Sequence, residues 1–308
     1  MLVIAMTAGV VTYLVYASIP SLNSTHHITN KIAETLQPIL LFLMLFLSFC
    51  KVNPRALKPA RWQLKLLIIQ FVGMLVFACP LLFRLTSTHT TISYICEAGL
   101  LCMICPTATA AVVVTHKLGG RIGNVISYTF VINLFTSLLF PALISHLYSS
   151  TQHTFLISFL MILGKIFPIL ILPLITAFIV RYLFPSLLLW LQQKTEWAFY
   201  LWSVSLFICM AMTTHSIVSS HEHLFTYLCI ALTSLFCCAL QFCLGRHIGK
   251  RHGDPVSAAQ TLGQKNTAFA IWLAYTFMNP LITLAGGFYI IWQNSFNSWQ
   301  LAKHFNKN

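Results

Sequence analysis

The run TLGQKNTAFAIWLAYTF, residues 261–277, places Lys265 between Gln264 and Asn266 inside an otherwise apolar stretch. An ammonium at a bilayer centre costs about 2.5–3.5 kcal/mol on insertion scales, so such a charge marks a functional site by default. The chemistry open to it is to steer an anion, to stand in for a dissolved cation, or to release a proton. A second run, CEAGLLCMICPTATAAVVVTHKLGG at 96–120, carries Pro106 midway, followed by Thr107 and Thr109. Each run joins a helix breaker to small polar residues, and paired interruptions of this kind point to a binding site at the membrane midplane. Single Pro or Gly residues also occur as plain kinks. For Lys265 the competing explanation is snorkelling, because it lies roughly 12 Å into its span at 1.5 Å per residue.

Other chemistry-bearing residues are weaker. Cys102 and Cys105 form a CxxC without a second ligand pair, and the ten cysteines all lie in or beside apolar runs. That pattern suits packing thiols better than metal or disulfide sites. His221, Glu222 and His223 lack a framework for metal binding and read as a solvated loop. Glu97 lies roughly 14 Å along a helix from Pro106, too far for a pair with Lys265; an interfacial glutamate is expected there, with a proton relay as the alternative. His116 beside Lys117 reads as an interfacial pair, and the basic cluster GRHIGKRHGD at 245–254 suits anionic lipid headgroups. No nucleophile–base set and no HExxH metal motif is present in the sequence, so an intramembrane enzyme ranks last and no cofactor is expected.

The elements that must position these residues are membrane helices. Of 308 residues, 58% are hydrophobic and 7% charged, where a soluble domain would be about a quarter charged; the mean hydropathy is +0.81. The fold class is an all-α polytopic membrane protein. Ten spans are predicted, at 2–20, 36–50, 64–83, 92–116, 122–147, 162–181, 197–216, 223–245, 257–278 and 280–296. No Lys or Arg precedes the first, so it reads as a span rather than a cleaved signal peptide, with an upstream start left open. The stretch 153–161 is expected on the outer interface, with Lys165 snorkelling beside it. Tyr13, Trp62, Tyr94, Trp292 and Trp299 are expected as interfacial belt residues.

The net charge of +13 does not imply nucleic acid, because the charges sit in short connections. With the N-terminus cytoplasmic, the inner connections and tail hold Lys51, Arg55, Lys58, Arg61, Lys65, Lys117, Arg121, Arg181, Lys194, Arg246, Lys250, Arg251, Lys303 and Lys307. The outer side keeps Lys31 and Arg84. This asymmetry follows the positive-inside rule and predicts both termini in the cytoplasm. Five spans precede the polar stretch 148–154 and five follow it, so the second half must run in the opposite sense. Residues 1–150 and 151–308 are therefore expected to form two inverted repeats, with spans four and nine as equivalents.

The same residues resemble the bile acid:sodium symporter family. The resemblance runs through PILLFLMLF, LLIIQFVGM with Gln70, CPTATAAVVVT, PILILPLITAFIVR and GQKNTAFA, in order along nearly the whole chain. It implies a panel of spans 1, 2, 6 and 7 and a core of spans 3–5 and 8–10, in which discontinuous spans 4 and 9 cross. Substrate would lie between panel and core and reach alternate sides as the two move. By the same resemblance Thr109 and Asn266 fall on substrate-facing positions, with Thr107 and Thr267 beside them. Gln70 and Thr129 fall on sodium-site positions and keep oxygens. Thirdly, an acidic residue is replaced by Thr261, a glutamine next to the asparagine by Lys265 (beside Gln264), and a Ser-Asn pair by Ala111-Val112.

Hard cations are held by oxygen ligands, and these replacements remove a carboxylate and further oxygens. An ammonium 4 Å from a cation repels it by about 4 kcal/mol at an effective dielectric of 20. Sodium coupling of the usual kind is therefore not expected. The function expected is secondary-active or facilitative transport of a small organic anion, bile-acid-like or another carboxylate, in a bacterial inner membrane. Lys265 would replace the sodium charge, donating to Gln70, Thr261 or backbone carbonyls; a titrating lysine would instead permit proton coupling. A sodium- or proton-coupled symporter and a transporter-fold sensor are the alternatives. The partners expected are the organic anion and membrane lipid.

Overall fold

The computed structural model describes residues 2–19, 25–51, 59–148, 154–220 and 222–305. His221 and most of the 148–154 connection lie outside that set, as do Arg55, Lys58 and Lys307. The described residues form α1 (Leu2–Ala17), α2 (His26–Cys50), α3 (Arg61–Leu82), α4 (Thr91–Ile104), α5 (Ala110–Lys117), α6 (Ile122–Leu147) and α7 (Phe155–Leu170). Then come α8 (Leu172–Leu183), α9 (Pro185–Gln193), α10 (Thr195–Ser219), α11 (Leu224–Lys250), α12 (Pro255–Gly263), α13 (Thr267–Phe277) and α14 (Thr283–Phe305). By length and composition α3, α6, α10, α11 and the Lys31–Cys50 part of α2 can cross a bilayer. The α7–α8 pair, bent by 40°, makes a sixth. The chain is an all-helical, multi-pass integral membrane protein.

Sequence chemistry explains where the helices stop. The residue before a proline disfavours the α conformation, and Cys105, before Pro106, is extended at φ −61°, ψ 138°. α4 ends there and α5 starts only after Thr109. Gln264 is extended at φ −94°, ψ 105° after Gly263, and Asn266 restarts the helix, its Oδ1 accepting from the Phe269 N–H at 3.2 Å. Such a cap satisfies one of the donors orphaned at a helix start.

Several boundaries differ from expectation. α2 begins ten residues before the predicted 36, with Lys31 and Glu34 on its first turns. Residues 155–161 form the first turns of α7, continuous with the rest of that helix. Lys165, expected to snorkel there, holds its Nζ over the Phe277 ring at 5.6 Å. Trp62 is no belt residue: it is 2% exposed and packs with Leu66, Tyr128 and Leu262. Its ring fills a seam between helices, which apolar patterning cannot distinguish from a lipid-facing position.

Packing joins α1 to α10, and α2 to α7, α8 and α10. Separately, α4 packs with α3, α11 and α14, and α12 with α3, α5, α6 and α11. The α11–α12 contact is close because Gly245 and Gly249 face it. A Cβ at either would collide with the carbonyl of Ala258 or of Asp254, the small-residue packing expected where no hydrophobic force drives helices together in lipid.

Candidate functional site

The two interruptions meet. Thr107 and Lys265 form an antiparallel bridge. The Ala108 N–H donates to the Gln264 carbonyl at 2.9 Å and the Asn266 N–H to the Pro106 carbonyl at 2.9 Å. The Thr107 hydroxyl donates to the Thr261 carbonyl at 2.7 Å. Unwound backbone inside a membrane must find partners within the protein, and each break supplies them to the other.

Two further side chains complete this accounting, and both lie outside the residues singled out by sequence. Gln293 of α14 accepts from the Lys265 N–H at 2.9 Å, and Tyr289 donates to the Gly263 carbonyl at 2.9 Å. Tyr289 stands in an apolar run, where a polar group is costly and marks a partner in the interior; Gln293 opens the polar run QNSFNS and carries no such signal. Asn133 of α6, one turn beyond Thr129, was also missed. It is buried, and neither amide atom has a hydrogen-bond partner among the described residues.

The substrate candidates differ in setting. Thr109 and Asn266 are half-buried and adjoin the bridge. Thr107 and Thr267 are buried, the first with its hydroxyl committed to Thr261. α13 also packs against α2 and α10, so the second break borders the other group of helices.

Lys265 is 1% exposed, which excludes snorkelling. Its side chain does not reach the groups expected to receive it. Gln70 donates to the Cys105 carbonyl at 3.1 Å and accepts from Tyr128 at 3.1 Å, and the Thr261 hydroxyl donates to the Ser257 carbonyl. Lys265 instead shares a small cavity with Cys102, Cys105 and Tyr289, with Cys237 and Cys238 within its electrostatic reach. Among the described residues its ammonium has no hydrogen-bond partner. The CxxC cysteines are thus part of the lysine's surroundings, and all the thiols there are free.

The helices bearing the sodium-position residues do pack together: α3 with Gln70, α5 with Ala111 and Val112, α6 with Thr129, and α12 with Thr261. Of these side chains, Ala111 and Val112 carry no oxygen, the Thr129 hydroxyl donates to the Val125 carbonyl at 2.8 Å, and none is a carboxylate. Elsewhere, Glu222 accepts from Tyr94 at 2.9 Å, His223 is exposed, and His116 and Lys117 are exposed at the end of α5. Among the described residues no group of three or more His, Cys, Asp or Glu could hold a metal.

No curated protein matches the chain. The pattern of the Sodium Bile acid symporter family matches residues 38–221, from α2 to just past α10. That span exceeds half the chain and includes the Pro106 break. The family is one of transporters rather than enzymes. With its membrane helices and its broken, paired segments, the chain belongs to the sodium bile acid symporter family.

Proposed function

We propose that the chain moves a small organic anion by alternating access, as a secondary-active or facilitative transporter in which Lys265 holds the charge that sodium supplies in sodium-coupled relatives. Ten spans follow if α4–α5, α7–α8 and α12–α13 each count as one, with α9 lying between spans. Residues 1–150 and 151–308 are then inverted halves. The packing of α1, α2, α7, α8 and α10 supports a panel, and that of α3–α6 with α11–α14 a core. The basic connections favour cytoplasmic termini and an inner membrane.

One observation carries this reading: a buried ammonium with no hydrogen-bond partner among the described residues sits on the backbone that pairs the two breaks. It acts through space, behind the paired segment, rather than by filling the shell of Gln70 and Thr261. In a low-dielectric interior that charge favours an anion at Thr109 and Asn266, and the start of α13 adds its dipole. The same charge, with one carboxylate missing, works against a bound sodium ion.

Counterflow of labelled bile acids and short carboxylates in proteoliposomes, with sodium and pH varied independently, tests the proposal. Exchange without sodium is expected, falling in Lys265→Gln, while Lys265→Gln with Thr261→Glu is expected to gain sodium dependence. Sodium-dependent exchange by the unaltered chain, or unchanged exchange in Lys265→Gln, would overturn it. The pH series separates a permanently charged lysine, which gives uniport or exchange, from a titrating one that couples to protons.

A further inference from the structure

A groove of about 450 Å³ opens between the last turns of α11 and α14, bordered by Leu118 after α5 and Val256 of α12. It contains no residue of the paired breaks and none of α1, α2, α7, α8 or α10. Its size falls within the usual range for ligand pockets.

The groove is graded along its length. Phe242 and Phe296 stack at 5.3 Å with their planes 22° apart. Arg246 follows Phe242 by one helical turn, and Lys303 and His304 follow Phe296 by two. At 1.5 Å per residue this sets these side chains about 6–12 Å beyond the rings along the helices. Trp299 lies between, exposed, with the Lys303 Nζ 5.2 Å from its ring centre. Among the described residues no carboxylate lines the groove; the nearby Asp254 is buried and accepts from Asn124 at 2.6 Å.

Aromatic and aliphatic walls followed by a cluster of cations match one kind of molecule, an apolar chain ending in an anionic head. We infer that this groove binds one anionic phospholipid, its acyl chain against Phe242 and Phe296 and its headgroup at Arg246 and Lys303. α11 and α14 end on the same side, so the cations lie where a leaflet's headgroups would be. Arginine supplies bidentate recognition of phosphate oxygens, and the Trp299 ring suits the interface. The groove does not include Thr109, Lys265 or Asn266; Phe242 links it to Gly263 of the second break, and its test reads lipid retention rather than transport.

Native mass spectrometry of the full chain tests the inference, with phosphatidylglycerol, phosphatidylcholine of the same acyl chains, and inorganic phosphate as separate additions. Retention of phosphatidylglycerol over phosphatidylcholine is expected. Arg246→Gln with Lys303→Gln should lower it about fivefold for each cation removed. Arg61→Gln with Lys65→Gln removes the same charge from exposed positions outside the groove and outside the 245–254 cluster, and should leave retention unchanged. Equal loss in both double variants would mean diffuse attraction and overturn the site, as would displacement by inorganic phosphate. If the first variant fails to fold, thermal unfolding of the unaltered chain decides: stabilisation by phosphatidylglycerol beyond phosphatidylcholine supports the site, and equal stabilisation overturns it.

Discussion

Thr107 and Lys265 face each other across an antiparallel bridge, each lying in the gap of a broken helix. The pairing explains why both helices can afford to break in an apolar medium. Five backbone groups at the interruptions are bonded to the opposite segment or to the Thr107 hydroxyl, and Gln293 and Tyr289 take two more. The site is therefore one unit, and damage to either segment should be felt by both.

Thr107 and Thr109 should separate structure from recognition. Thr107→Val leaves the Thr261 carbonyl without its buried donor and should cost about 1–3 kcal/mol, read as earlier thermal unfolding in detergent. The Thr109 side chain makes no cap bond, so Thr109→Val should unfold normally while substrate counterflow falls. Equal loss of stability in both variants would contradict the assignment.

Gly263 packs directly against the Phe242 ring, which a Cβ would strike. Gly263→Ala should therefore cost about 1–3 kcal/mol by overpacking. Phe242→Leu makes room, and the double variant should recover much of the loss in a double-mutant cycle. Additive losses would mean that the two residues do not restrain each other.

Asn133 tests whether an unpaired buried amide is kept for function. Both of its polar atoms lack partners among the described residues, so Asn133→Leu should be neutral or stabilising by about 1–3 kcal/mol, the usual desolvation penalty of such a group. If the amide serves substrate or ion, counterflow falls even as the unfolding temperature holds or rises. Lower stability would instead reveal a structural bond.

Much of this was legible in the sequence. Pro106 and the Gly263–Asn266 stretch announced the breaks because proline and glycine act locally, and span five matched α6 at both ends. The destination of the Lys265 side chain was not legible. It depends on which neighbour turns toward the gap, and Cys102, Cys237 and Tyr289 come from three different helices. Trp62 misled for a related reason: an aromatic residue near a span end looks the same whether it meets lipid or another helix.

Lys265→Met gives the sharpest separation between a lysine kept for its charge and one kept for packing. Methionine nearly preserves the length and volume of the side chain and removes the ammonium. A charge buried without a partner costs stability, on insertion scales about 2.5–3.5 kcal/mol at a helix centre, so the variant should unfold at a higher temperature. Thr107 and Lys265 pair through backbone, so the bridge should survive the change. Anion counterflow should nevertheless fall, because the positive potential behind Thr109 and Asn266 is gone. A stabilised protein that no longer transports is what a charge held for function predicts. A destabilised one would show that the amine makes a bond on which the fold depends.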